Sequence, residues 1–73
     1  MTEFEGQSGL VLGLGVSGIS ASRYLAERGA KVVAADERAS DAITGLASLP
    51  PDVELRVGEA FPEFDAFDLV VPS

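Results

Sequence analysis

Apolar residues fall in short clusters, and the spacing within them changes along the chain. Leu10-Val11-Leu12 is an unbroken apolar run inside Ser8 to Leu14. A run without polar alternation predicts a strand buried on both faces, as at the centre of a parallel sheet. From Ser17 to Arg28 the period lengthens, and Gly18, Ala21, Ser22 and Leu25 share one stripe at helical spacing. Three of these four are small, so the helix is expected to lie close on the sheet. Arg23 and Glu27 sit on the opposite side, placed for a weak pair. Arg28 suits the negative end of the helix, and Gly29 suits a left-handed turn that ends it. Lys31 to Ala35 reads KVVAA, a second strand, and Asp36 follows it. Strand, helix and strand within about 30 residues predict a βαβ unit with a right-handed crossover and parallel neighbours.

The pattern weakens after Asp36-Glu37-Arg38. Ser40 is placed to cap a short helix, Asp41 to Leu49, which Gly45 weakens and Pro50-Pro51 stop. Val53, Leu55 and Val57 alternate with Glu54 and Arg56, which predicts a third strand with one wet face at a sheet edge. Gly58 to Ala66 reads as a loop or single turn. Phe61, Phe64 and Phe67 are expected to plug the core, because buried aromatics dominate small cores. Asp68 to Val71 is the fourth strand. Met1 to Gln7 is a polar lead-in whose Phe4 is placed against the sheet edge. The expected fold class is α/β: a single domain over residues 1–73 with a Rossmann-like parallel sheet, four strands in the order 3-2-1-4, and flanking helices.

The turn between the first strand and the helix holds the candidate chemistry. Gly13, Gly15 and Gly18 have the G-x-G-x-x-G spacing, between a strand and a helix as that motif requires. Gly13 suits the sharp turn, Gly15 admits a ligand's phosphates to the main chain, and Gly18 lets the helix approach the sheet. The N–H groups around Val16, Ser17 and Gly18, with the helix dipole, form an anion site that needs no lysine. Ser17 is placed either to cap the helix or to donate to a phosphate oxygen. A tight βα turn with no ligand would need fewer glycines.

Composition narrows the chemistry. At 73 residues the chain is one domain at most, and one this short buries only ~60% of its unfolded surface. Apolar residues make up 47%, which fits a globular protein. The absence of cysteine excludes disulfides and thiolate metal sites, and the absence of histidine removes the commonest general base. No metal ligand set and no catalytic residue is assigned. No apolar run reaches the ~20 residues of a membrane span, and the amino end lacks the basic start and apolar core of a signal peptide. A net charge of -7 disfavours nucleic acid and anionic membranes as partners. It does not forbid a phosphate ligand, because a helix N-terminus acts locally.

In a 3-2-1-4 sheet the strand order reverses between strands 1 and 4, and ligands bind there, beyond the carboxyl ends. The glycine turn, Asp36-Glu37-Arg38 and Pro72-Ser73 are expected to converge at that point. Asp36 lies 18 residues past Gly18, where an acid in dinucleotide folds takes a ribose hydroxyl. That reading favours NAD, while Arg38 pulls towards NADP. Alternatively, the carboxylate and guanidinium flank the base of another nucleotide, or Glu37 and its neighbours form a solvated charged turn.

The stretch VLGLGVSGISASRYLAERGAKVVAADER resembles the amino-terminal domain of the muramyl (Mur) ligases, most nearly their D-glutamate-adding members. The resemblance rests on the serine before the third glycine, the Y-L-A-x-R-G-A helix end and the D-x-R after strand 2. Phe4-Glu5-Gly6 and the closing Leu69-Val70-Val71-Pro72-Ser73, similar to a strand entering a Ser-Pro-Gly turn, extend it over nearly the whole chain. It implies a UDP-sugar site. The glycine turn would hold the diphosphate, with donors from Val16 and Ser17. Asp36 and Arg38 would lie about the uracil, Glu37 would act through its backbone, and Ser73 would reach the sugar-phosphate.

The implied substrate is UDP-MurNAc-L-alanine, and the implied reaction is ATP-dependent amide formation with D-glutamate in cytoplasmic peptidoglycan synthesis. ATP, magnesium and D-glutamate would be bound by other domains, because no G-x-x-x-x-G-K-[ST] occurs here. The chain is therefore expected to be an inactive, truncated or separately expressed substrate-binding domain of a larger ligase, ending within the Ser-Pro-Gly turn. Two other classes stay open: an NAD(P)-binding module of an oxidoreductase or nucleotide-sensing regulator, and a small α/β interaction domain with an empty turn.

Overall fold

The computed structural model describes residues 3–73. Four strands, β1 (Ser8–Leu12), β2 (Lys31–Asp36), β3 (Glu54–Val57) and β4 (Leu69–Pro72), form an all-parallel sheet in the order β3-β2-β1-β4. The helix α1 (Val16–Glu27) joins β1 to β2. Leu10 is in register with Val33 and Val70, and Val11 with Ala34 and Val71. Leu10 and Val11 are both fully buried. Successive strand residues point to opposite faces, so both faces of β1 are covered, as its unbroken apolar run requires. Each such side chain contributes roughly 1.5–3 kcal/mol through burial.

The helix lies over the face that carries Gly9, Val11 and Ala34. A Cβ at Gly9 would sit 3.4 Å from Leu25 Cδ1, so the missing side chain admits the helix. Val11, Leu14, Ile19, Leu25, Ala34 and Ile43 belong to one buried cluster on this side. Ser22 is fully buried in the helix's inner stripe, and its Oγ donates to Gly18 O at 2.8 Å, which satisfies it within the helix. Gly29 takes φ +95° and donates to Ala26 O at 3.1 Å, closing the helix as expected. Residues 58–68 return from the β3 edge to the β4 edge. The fixed hand of parallel crossovers puts this return on the face opposite α1, where Leu10 and Ala35 are fully buried.

The structure corrects several local expectations. No helix spans Asp41 to Leu49. Two 3-10 turns, Ser40–Ala42 and Leu46–Ser48, are separated by Gly45 at φ +86°, and Ser40 makes no side-chain cap. A left-handed residue interrupts a right-handed helix, so the segment folds as two tight turns that press Ile43 into the core. Phe61 and Phe64 are 37% and 51% exposed, and Phe67 is half-buried outside the core cluster. Their segment forms one 3-10 turn, Phe64–Ala66, too short to bury three rings, and acidic Glu59, Glu63 and Asp65 hold it at the surface.

Leu55 is 44% exposed, because β3 is the edge strand and the main contacts of α1 are with β1, β2 and β4. Arg23 and Glu27 form no ion pair among the described residues. Arg28 instead stacks its guanidinium 3.7 Å from the Tyr24 ring centre. Phe4 packs against the core cluster and edge-on against Tyr24 near the helix end. Its N–H donates to Arg28 O at 2.9 Å.

Candidate functional site

The carboxyl ends of β1, β2 and β4 are tied together around the glycine turn. Gly13 N donates to Ala35 O at 2.8 Å, and Ser73 N donates to Leu12 O at 3.0 Å. Ser73 Oγ lies 2.7 Å from Gly13 O and 2.9 Å from Leu12 O, donating to the turn. The order reverses between β1 and β4, so this is the topological switch point of the sheet. Gly13, Gly15, Val16, Ser17, Gly18, Asp36, Glu37, Arg38 and Ser73 are thus brought to one end of the molecule, in the three segments named from sequence.

The three glycines are glycine for different reasons. Gly13 has φ +90°, and a Cβ there would meet Ser73 O at 3.1 Å. At Gly18 a Cβ would penetrate Gly13 O and lie 2.9 Å from Ser73 Oγ. Both positions are closed by the fold. Gly15 differs. Its φ of -76° and ψ of -165° are open to any residue, and a Cβ would meet nothing within 4 Å. Folding does not demand glycine there. The missing side chain leaves the main chain there open.

That access leads to the start of α1. Its first bond is Ile19 N to Gly15 O at 3.0 Å. Among the described residues, the N–H groups of Val16, Ser17 and Gly18 find no acceptor, and no acidic side chain lies in the first turn. Gly15 occupies the N-cap, and no side chain caps the helix. Ser17 therefore does not cap. It is exposed at the second helical position, with its hydroxyl at the rim. Val16 is 85% exposed beside it. Three unsatisfied donors and the positive helix end converge on open space, an arrangement that binds phosphate oxygens.

Asp36 is buried below the turn. Its Oδ2 accepts from Leu14 N at 2.8 Å and Arg38 Nη2 at 2.6 Å. Its Oδ1 accepts from Arg38 N at 2.9 Å and Arg38 Nε at 3.0 Å. The Arg38 side chain first, then the two main-chain donors, hold the Asp36 carboxyl well below the usual carboxylate range against the opposing effect of burial. Arg38 remains half exposed at the rim, and Glu37 is exposed. The Leu14 bond was not anticipated. Leu14 is buried as a plug, and its N–H meets a carboxylate from the neighbouring strand. Residue spacing carries no signal for a contact between strands. A separate hollow of about 550 Å³, lined by Lys31, Val33, Asp52 and Phe67 among others, opens at the amino ends of the strands, away from this chemistry.

Residues 7–73 match the family described as Mur ligase MurD-like, N-terminal domain. The chain belongs to that family. It is 41% identical over 73 residues to a UDP-N-acetylmuramoylalanine--D-glutamate ligase of Anaeromyxobacter dehalogenans (strain 2CP-C), covering 97% of this chain and 16% of that protein. It is 32% identical over 71 residues to an enzyme of the same name from Solibacter usitatus (strain Ellin6076), covering 97% of this chain and 15% of that one. The MurD-like chain thus spans about a sixth of the length of these curated relatives. The all-parallel sheet and its order agree with the expected fold, and the family agrees with the resemblance. Among the described residues, no helix is long and apolar enough to cross a membrane.

Proposed function

We propose that the mouth at Gly15 holds the diphosphate of a UDP-sugar, and that the chain is the substrate-holding part of a D-glutamate-adding Mur ligase. The observation that carries this reading is Gly15 itself, an unforced glycine opening onto three N–H groups that find no acceptor among the described residues. The N–H groups of Val16, Ser17 and Gly18 donate to phosphate oxygens, and the Ser17 hydroxyl adds a donor. Glu37 and Arg38 form the base end of the site with Asp36 beneath them, and Ser73 lies towards the sugar-phosphate. The relatives' names point to UDP-MurNAc-L-alanine as the ligand. In the whole ligase, ATP phosphorylates the acyl group of that substrate, and the amine of D-glutamate displaces the phosphate. ATP, magnesium and D-glutamate are held outside residues 1–73, which lack a phosphate loop of the G-x-x-x-x-G-K-[ST] type.

The Asp36 geometry weighs against a dinucleotide. A carboxylate that takes both ribose hydroxyls needs open lone pairs, and four donors already occupy those of Asp36. The test is a parallel titration with UDP-MurNAc-L-alanine, UDP and NAD, followed by amide NMR. Shifts at Gly15, Ser17 and Arg38 with the uridine ligands alone support the proposal. Preference for NAD, or silence from all three, overturns it.

A further inference from the structure

We propose that Asp36 is a positioning residue that never touches the ligand: one buried carboxylate sets both the shape of the glycine turn and the direction of Arg38. This rests on the reading of the mouth as a nucleotide site. Each oxygen of Asp36 accepts two hydrogen bonds. Oδ2 holds Leu14 N at 2.8 Å and Arg38 Nη2 at 2.6 Å, and Oδ1 holds Arg38 N at 2.9 Å and Arg38 Nε at 3.0 Å. A carboxylate offers about four acceptor sites, so none is left for a hydroxyl or a base N–H. Asp36 is also 5% exposed, whereas the Arg38 side chain is 52% exposed.

The pair is therefore one-sided. Its anion faces inward to the turn, and its cation faces outward to the mouth. Leu14 lies between Gly13 and Gly15, so the bond to its N–H sets the path of the main chain into α1. The same oxygen holds the guanidinium, which places the cation within two hydrogen bonds of that turn. Two of the five guanidinium N–H donors are spent on Asp36, and the other three remain for the ligand.

The experiment compares the full chain with Asp36→Asn, Arg38→Met and the double variant. It reads amide exchange at Leu14, UDP affinity and melting temperature. The asparagine amide turns a donor towards donors, so Asp36→Asn should speed Leu14 exchange and weaken UDP binding by roughly tenfold to a hundredfold. Arg38→Met should weaken UDP but leave Leu14 protected. In the double variant the second substitution should cost much less than it does alone, because the guanidinium has already lost its anchor. Multiplying losses, with Leu14 unmoved in Asp36→Asn, would make Asp36 a direct ligand contact and overturn the proposal. So would unchanged exchange and affinity.

The unsubstituted chain supplies a readout that does not depend on a variant folding. The Arg38 Nε–H and Leu14 N–H signals should be protected without ligand and stay so at UDP saturation. Loss of either on binding would show the carboxylate turning to the ligand. If UDP does not bind, the nucleotide reading fails, and protection in the free chain still decides whether the clamp exists.

Discussion

The three motif glycines, alike in a sequence pattern, part company once their surroundings are known. Gly18→Ala should destabilise the fold by at least about 2 kcal/mol, because its Cβ has no space against Gly13 O and the helix must move. Gly15→Val should cost much less stability than Gly18→Ala, only the ~1 kcal/mol of a poorer N-cap, and abolish most UDP binding, because a Cβ there meets nothing and the side chain enters the mouth. Denaturation and calorimetry on the two variants check the contrast, and equal loss of stability in both would contradict it. Asp36 makes a second residue-scale prediction. Its folded pKa is depressed, so the stability it contributes is fully present above its unfolded value of ~3.9 and is lost as pH falls through the lower folded value. Urea midpoints should hold level from pH 7 to 5 and fall below pH 4, and Asp36→Asn should flatten that fall.

At the scale of elements, the strands and α1 were legible because each carries a strong period or an unbroken apolar run. Boundaries moved by a residue or two, as when β1 ended at Leu12 to release Gly13 into the turn. The segment after β2 does not form the expected helix, because its helical pattern is weak and Gly45 adopts a left-handed conformation that breaks it. Burial there is settled by contacts with α1. Ile43→Ala should therefore cost about 2 kcal/mol, while Leu55→Thr on the open edge strand should stay within about 0.5 kcal/mol. Chemical denaturation of both distinguishes this from the simple alternation in which Leu55 was the buried residue.

At the scale of the molecule, the net charge of -7 and the cationic rim at Arg38 act over different ranges. The global charge repels polyanions, while the helix end and guanidinium act over a few ångströms. The chain should show no retention on duplex DNA even at ~0.05 M salt, measured by electrophoretic shift, while binding a compact uridine diphosphate. Saturable DNA binding would mean that the rim extends into a basic surface, which the placement of the charged residues does not provide.

Local chemistry was enough for the sheet order, the βαβ unit and the three segments that meet at the switch point. Apolar period, glycine spacing and the handedness of crossovers all act between near neighbours or follow general rules of chain direction. The division of labour within the site was settled by packing. Gly15 is open and Gly18 closed because of what stands opposite them. Asp36 faces inward because Leu14, 22 residues earlier, presents its N–H just past the end of the adjacent strand. Phe61 and Phe64 lie outward because their short turn buries neither ring. Such contacts join residues far apart in the chain, and spacing along a sequence carries no measure of distance across a fold.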